Sequence, residues 1–288
     1  MLVVVGMIVV LGSVIVGYTM HGGNLVVLLQ INEYIVIGGA ALGALLVGNK
    51  PSIVKSIFSE TLGLLKPSPY NQAAFKELLQ VLYEVFYAAR KDGLVGIESH
   101  VENPEESELF QAYPTFHRHH AAMAFLSDTL KVLLTGAVDD HHLSEILDLD
   151  LEQHHGEASK VPQALAKVAD ALPGFGIVAA VLGIIITMGK IGGSPEQVGM
   201  SVAAALVGTF LGVLLAYGVV GPLAQAIAQR VKAEEAYMAC IRTALLSFAR
   251  GDPPITSVEF ARRNIEPADR PSFTELEDLT RRRGKRAA

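Results

Sequence analysis

Long apolar runs and shorter one-sided apolar stripes alternate along this chain. Leu2–Gln30 carries no charge if His21 is neutral, residues 171–195 carry only Lys190, and Val198–Val220 carry none. The hydrocarbon core of a bilayer, about 30 Å thick, takes about 20 helical residues to cross. Four segments have that length, 2–20, 31–49, 171–190 and 198–221, so the pattern predicts four transmembrane helices. Asn32 and Glu33 mark the start of the second, and its interior, Ile35–Gly48, is uniformly apolar. No Asp, Glu, Lys, Arg or His stands deep inside any of these predicted spans. If the chain helps to move an ion, the titratable carrier is expected on a partner. The first run lacks a basic flank and a small-x-small cleavage site, so it reads as a retained span rather than a secretion signal.

Between and after the runs the period changes. From Phe75 the apolar residues fall at 75, 78, 79, 82, 85, 86 and 89, the stripe of a one-faced helix, with Gly93 as its stop signal. A second helix is predicted from Phe116 to Leu134, ending at Gly136, and a third from His141 with Leu143, Ile146 and Leu147. After Pro222, Leu223, Ile227, Val231, Ile241, Leu245 and Phe248 continue a helix as far as Gly251. Ser272-Phe-Thr-Glu275 has the spacing of a capping box and predicts a short terminal helix. The fold class expected is an all-α membrane protein, four transmembrane helices with a helical cytoplasmic domain. Its expected division is 1–49 for the first two spans, 50–168 for the cytoplasmic helical domain, 169–224 for the last two spans and 225–288 for a cytoplasmic helical tail.

Composition agrees with a membrane chain. Of 288 residues, 51% are hydrophobic and 18% charged, with more apolar and less charged content than a soluble domain carries. The net charge of −6 says little, because it sums segments in different solvents. The single cysteine, Cys240, excludes an intrachain disulfide and a cysteine metal cluster, and reads as a packing residue. Basic residues set the orientation, because they are retained on the cytoplasmic side. Residues 1–49 contain no Lys or Arg, the 50–168 loop contains ten, and the tail after Pro222 contains twelve, ending in Arg281–Arg283, Lys285 and Arg286. Both termini are therefore expected in the cytoplasm, with the chain multi-pass in a membrane and in contact with lipid.

Several residues invite a chemical role. Gly39 and Gly43, and Gly208 and Gly212, form small-xxx-small pairs that let helix backbones approach closely, within one chain or between subunits. Thr187 and Thr209 are the notable polar side chains of the last two spans; each either bonds the carbonyl one turn back or faces a water path. Pro173 and Pro222 flank those spans as points of mild kinking or as hinges. Arg90 closes the first stripe, where a helix C-terminus favours a cation, and Glu98 follows Gly93 and Gly96; opposite charges there would also suit a charged docking surface. The histidines at 117, 119, 120, 141, 142, 154 and 155 fit solvated faces better than a metal site, since no helical pair with HExxH spacing occurs. No nucleotide-binding or nucleophile-elbow motif is present, and neither a cofactor, a nucleic-acid partner nor an enzymatic role is expected.

Together, LPGFGIVAAVLGIIITMG (172–189), VGTFLGVLLAYGVVGPLA (207–224), ENPEESELF (102–110) and RPSFTELE (270–277) resemble the MotA family, the A subunits of the bacterial flagellar stator. The likeness covers nearly the whole chain. Its span motifs are shared with the ExbB and TolQ energisers, whereas the long second loop and RPSFTELE are flagellar. The resemblance implies a helical subunit that assembles as a pentamer around a dimer of single-span B subunits, whose aspartate binds the ion. Ion flow would then turn the A ring and push the rotor's switch-complex protein. Carried over by position, Arg90 and Glu98 would meet the rotor, Pro173 and Pro222 would couple conformational change, and Thr209 with Ala180 and Thr187 would line the ion path. Overall length and sequence resemble the proton-driven type more than the sodium-driven one. The alternative function is an ExbB/TolQ-like subunit energising outer-membrane transport.

Overall fold

The computed structural model describes residues 2–189, 191, 192 and 194–281, and the regular structure among them is helical throughout. Lys190 and the basic residues Arg282, Arg283, Lys285 and Arg286 lie outside the described residues. In chain order the helices are α1 Leu2–Met20, α2 Leu25–Leu28, α3 Ile31–Gly48, α4 Pro51–Gly63, α5 Gln72–Asp92, α6 Glu98–Glu102 and α7 Glu108–Gln111. They continue as α8 Pro114–His117, α9 His120–Leu134, α10 Asp140–Met188, α11 Pro195–Leu214, α12 Gly221–Ala249, α13 Pro254–Asn264 and α14 Phe273–Arg281. A π-helical segment, Leu215–Val220, joins α11 to α12.

Four helical stretches are long and apolar enough to cross a bilayer: Leu2–Met20, Leu25–Gly48, Asp140–Met188 and Pro195–Ala249. The chain forms two compact units, Met1–Pro67 with Glu157–Gln229, and Ser68–Gly156 with Arg230–Ala288. These bounds differ from the expected divisions after residues 49, 168 and 224 because the helices outrun their apolar stretches. The helix expected from His141 and the third span are one helix, α10, of 49 residues, with Pro162 and Pro173 inside it.

In the membrane unit, backbone meets backbone through glycine. A Cβ on Gly176 of α10 would lie 2.7 Å from the Gly208 carbonyl oxygen and 3.1 Å from Gly212 Cα on α11. A Cβ on Gly212 would lie 2.7 Å from the Leu172 carbonyl oxygen, and one on Gly183 would lie 2.7 Å from Ala205 Cβ. The Gly208/Gly212 pair is therefore spent within the chain. Gly39 and Gly43 face open space, leaving that stripe of α3 unused here. Ile37 and Ala41 of α3 complete a small core with Leu172, Ala179, Val207 and Leu211.

The extramembrane unit is built on α5, whose predicted stripe is buried at each of its seven positions. Asn71 caps its start by accepting the Ala74 N–H at 3.1 Å, and Gly93 ends it with a φ of 74° that a side chain would resist. Phe86 stacks on Phe248 of α12 at 4.5 Å between ring centroids. The predicted 116–134 helix is two pieces, α8 and α9. Glu77 Oε1 accepts the Thr115 and Phe116 N–H groups and so anchors α8 to α5, while His119 leaves helical geometry to stack on Tyr70 at 4.9 Å. The capping box forms as predicted: Ser272 N donates to Glu275 Oε2 at 2.7 Å and Glu275 N to Ser272 Oγ at 3.2 Å. Cys240 is fully buried, which pushes its thiol up to about 12 and leaves it an inert packing residue.

Candidate functional site

The α10–α11 crossing positions the polar residues of the last two spans. Ala180 is buried opposite α11, its backbone N 3.1 Å from the place a Cβ on Gly208 would take. Thr209 follows Gly208 and is half-buried. Thr187 is buried and donates its hydroxyl to the Gly183 carbonyl one turn back at 2.8 Å. Its polar group is satisfied inside its own helix, the plainer of the two roles open to it.

The two prolines occupy different settings. Pro173 lies in the interior of α10, where its ring removes one ladder hydrogen bond, so it does not mark a helix start. Pro222 is the second residue of α12, directly after the π segment. There the Gly221 N–H reaches back five residues to the Ala216 carbonyl, a wider turn that accommodates a residue with no N–H of its own.

Arg90 and Glu98 are both exposed on the extramembrane unit. Arg90 donates to the Gly251 carbonyl oxygen at 3.2 Å, and Glu98 opens the short α6. Neither is in an ion pair among the described residues.

Most of the clustered histidines meet carboxylates, His117 and His120 sharing Glu105, and no metal-binding group of three forms among the described residues. His120 Nδ1 meets Glu105 at 2.8 Å, His142 Nδ1 meets Asp139 at 3.0 Å, and His155 meets Glu235 at 3.2 Å. His154 Nε2 lies 3.0 Å from Glu234 Oε1, and that hydrogen bond raises the His154 pKa. Burial would push Glu234 upward, but its bonds to His154 and to the Tyr70 hydroxyl outweigh this and hold it low. His119, half-buried against Tyr70 and Tyr237, has its pKa lowered by desolvation. Sequence reading missed the His154 partner, because His154 and Glu234 stand 80 positions apart.

One expectation is overturned. The predicted spans held no titratable side chain at depth, yet Glu33 is 9% exposed and lies against Gly208 of α11. A Cβ on Gly208, thirteen residues into α11, would come within 2.6 Å of Glu33 Oε2. The sequence does hold the signal: counted from Leu25, where the apolar helical stretch begins, Glu33 falls inside the span rather than at its edge.

Comparison with known proteins places this arrangement. Residues 4–93 match the motility protein A N-terminal family, and residues 117–239 match the MotA/TolQ/ExbB proton channel family. The chain is 37% identical to motility protein A of Salmonella typhimurium and 38% identical to that of Escherichia coli, in each case over 98% of this chain and 95% of the relative. It is 35% identical to chemotaxis protein LafT of Vibrio parahaemolyticus over 94% of this chain and 95% of the relative. Its fold is similar to that of C. jejuni MotAB, with a TM-score of 0.77 at 21% identity over 94% of this chain and 98% of the other. The flagellar MotAB stator complex of Bacillus subtilis is similar at a TM-score of 0.75 and 19% identity, over 94% and 98%. The chain belongs to the motility protein A family, within the wider MotA/TolQ/ExbB proton channel proteins.

Proposed function

We propose that the chain is the A subunit of a flagellar stator, coupling proton flow across the inner membrane to torque on the rotor. The observation that carries this reading is the correspondence with motility protein A at 37–38% identity over 98% of the chain. It favours the flagellar role over an ExbB/TolQ-like energiser, whose likeness rests on the shared span motifs. In this reading the chain assembles as a pentamer around a dimer of single-span B subunits, with both termini cytoplasmic. The B aspartate carries the ion, a proton rather than sodium. The exposed apolar side chains of α10, among them Ile177, Val181, Ile185 and Ile186, suit lipid or neighbouring subunits.

The described spans of α10 and α11 offer a partner's carrier no cation, only the half-buried Thr209 and the small Ala180 beside it. Thr209 and Ala180 line the ion path in this reading, with Thr187 supporting the α10 side. Pro173 in α10 and Pro222 after the π segment supply two weakened points in the helix ladders, through which an ion-binding event changes helix geometry. Arg90 and Glu98, exposed and outside any ion pair among the described residues, present opposite charges to the rotor.

The test is a clean deletion of the gene, scored for swimming and for assembled filaments, with complementation by the wild-type chain and by Arg90→Glu. Paralysed cells with intact filaments, rescued by wild type alone, are expected. Normal swimming in a strain with no second stator set would overturn the reading.

A further inference from the structure

The membrane unit contains an acid that the proposed mechanism does not use. Glu33 enters at the third position of α3, directly after the short α2, and its carboxyl sits at the α10–α11 crossing. Oε2 has no hydrogen-bond partner among the described residues. The space it occupies exists because residue 208 is glycine: a Cβ there would lie 2.6 Å from Oε2, and 3.1 Å from both Ala179 Cβ and Ala180 N. Gly208 is thirteen residues from the first residue of α11, or about 20 Å at 1.5 Å per residue, well inside a hydrocarbon core of about 30 Å. Thr209 is the next residue on the same helix, so the carboxyl is level with the proposed ion path.

Nothing in the surrounding helices neutralises it. Among the described residues, α11 contributes Glu196, twelve positions from Gly208, as its one charged side chain. Residues 171–188 of α10 contribute no titratable group, α2 contributes none, and α1 contributes Tyr18 with His21 just beyond it. An ionised carboxylate left unpaired at such depth is costly, and ionisable groups inside a membrane persist where they handle ions or bind one another. Among the described residues the chain supplies no cation here, so the neutral form requires a proton.

We propose that Glu33 is a proton-binding group of this chain, taking up a proton on its carboxylate from a hydrated ion path beside Thr209 and returning it to that path. The step is a reversible O–H bond formation: a hydronium ion of the path gives its proton to the carboxylate and becomes water, and on release a water takes the proton back. It rests on the proton-driven stator reading, to which it adds a second protonatable carboxyl besides the partner's aspartate.

The experiment uses the full chain purified with its B subunit and reconstituted in vesicles. Proton flux and the infrared band of a protonated carboxyl are recorded across pH for wild type and Glu33→Gln, with recovery of the complex as the control for assembly. A flux reduced about tenfold or more, together with loss of a titrating carboxyl band in the glutamine variant, is expected. Flux within about twofold of wild type, or a carboxyl band unchanged by the substitution, would overturn the proposal. If the glutamine variant does not assemble, Glu33→Asp carries the test. The shorter acid should shift the band's titration midpoint, and an unshifted midpoint would overturn the role. Failure of the stator reading itself shows separately, as normal swimming of the deletion strain, whereas the carboxyl band reports on Glu33 whatever the complex drives.

Discussion

Gly176 of α10 and Gly212 of α11 stand so close that a Cβ added to Gly212 would lie 2.9 Å from Gly176 Cα. The neighbouring atoms on both sides are backbone, which cannot swing away as a side-chain tip can. Gly212→Ala is therefore expected to separate the helices and to destabilise the protein by about 1–3 kcal/mol, as overpacking does. Gly39→Ala and Gly43→Ala, with open space around both positions, should leave the isolated subunit unchanged within about 0.5 kcal/mol. Thermal unfolding in detergent distinguishes the two sets; equal losses would mean that the α10–α11 contact is looser than its geometry.

Among the described residues Arg90 makes one exposed hydrogen bond, to the Gly251 carbonyl oxygen. Arg90→Glu should change stability by no more than about 0.5 kcal/mol, since it removes no buried contact. Torque, if the rotor reading holds, should fall sharply in the same variant, and Glu98→Lys should do likewise. Tethered-cell rotation beside a membrane-level immunoblot measures both. Wild-type torque in the double charge reversal would remove these residues from the docking surface.

The His154–Glu234 pair gives the extramembrane unit a pH window. His154 is raised above its usual 6.5, so its contribution is complete below pH 6.5 and is lost as pH rises through the elevated value. Glu234 is held below its usual 4.5, so its contribution is complete above pH 4.5 and is lost as pH falls through the depressed value. Both contributions are present together between those limits. His119 works the other way: burial lowers its pKa, so the fold loses stability below pH 6.5 as the unfolded chain takes up that proton first. His154→Gln should flatten the alkaline limb of a plot of Tm against pH, and His119→Gln should flatten the limb just below 6.5. Parallel curves for all three proteins would contradict the assignment.

Glu275 ties α14 to α5 through Lys76 Nζ at 2.7 Å while accepting the Ser272 N–H. The Lys76 hydrogen bond, followed by those from Ser272, holds its pKa down at about 2. Its contribution is therefore present above the usual carboxylate range and persists until pH falls through about 2. Glu275→Gln should free α14, seen as faster amide exchange over Phe273–Arg281, with the wild-type difference vanishing only in strong acid.

Much of this was legible in the sequence because the signals were local. The stripe at 75–89, the glycine stops at 93, 136 and 251 and the Ser272–Glu275 box are set by neighbours within a few positions, and each appears where its spacing puts it. The four spans follow from length and hydropathy alone. What stayed hidden depends on distant chain segments: the acid partners of His154 and His155, the stacking of His119 that interrupts the 116–134 helix, and the burial of Glu33. That burial depends on where α2 and α3 pack, whereas a residue-by-residue reading sees only an acid beside Asn32. The continuity of α10 through Pro162 and Pro173 was also invisible, because proline signals a break unless tertiary packing overrides it.

The π turn at Leu215–Val220 has a bearing on how this helix tolerates change. A hydrogen bond that skips five residues winds in one more than a bond that skips four, and each residue is worth about 100° of rotation. The segment thus holds a spare residue, and the side chains on either side of it are out of phase with simple helical counting. Deleting one residue there would tighten the turn to α geometry while keeping the turn itself, whereas the same deletion in α11 would rotate Gly208 away from α10. In this chain a one-residue deletion is therefore accommodated most readily at this point in the fourth span.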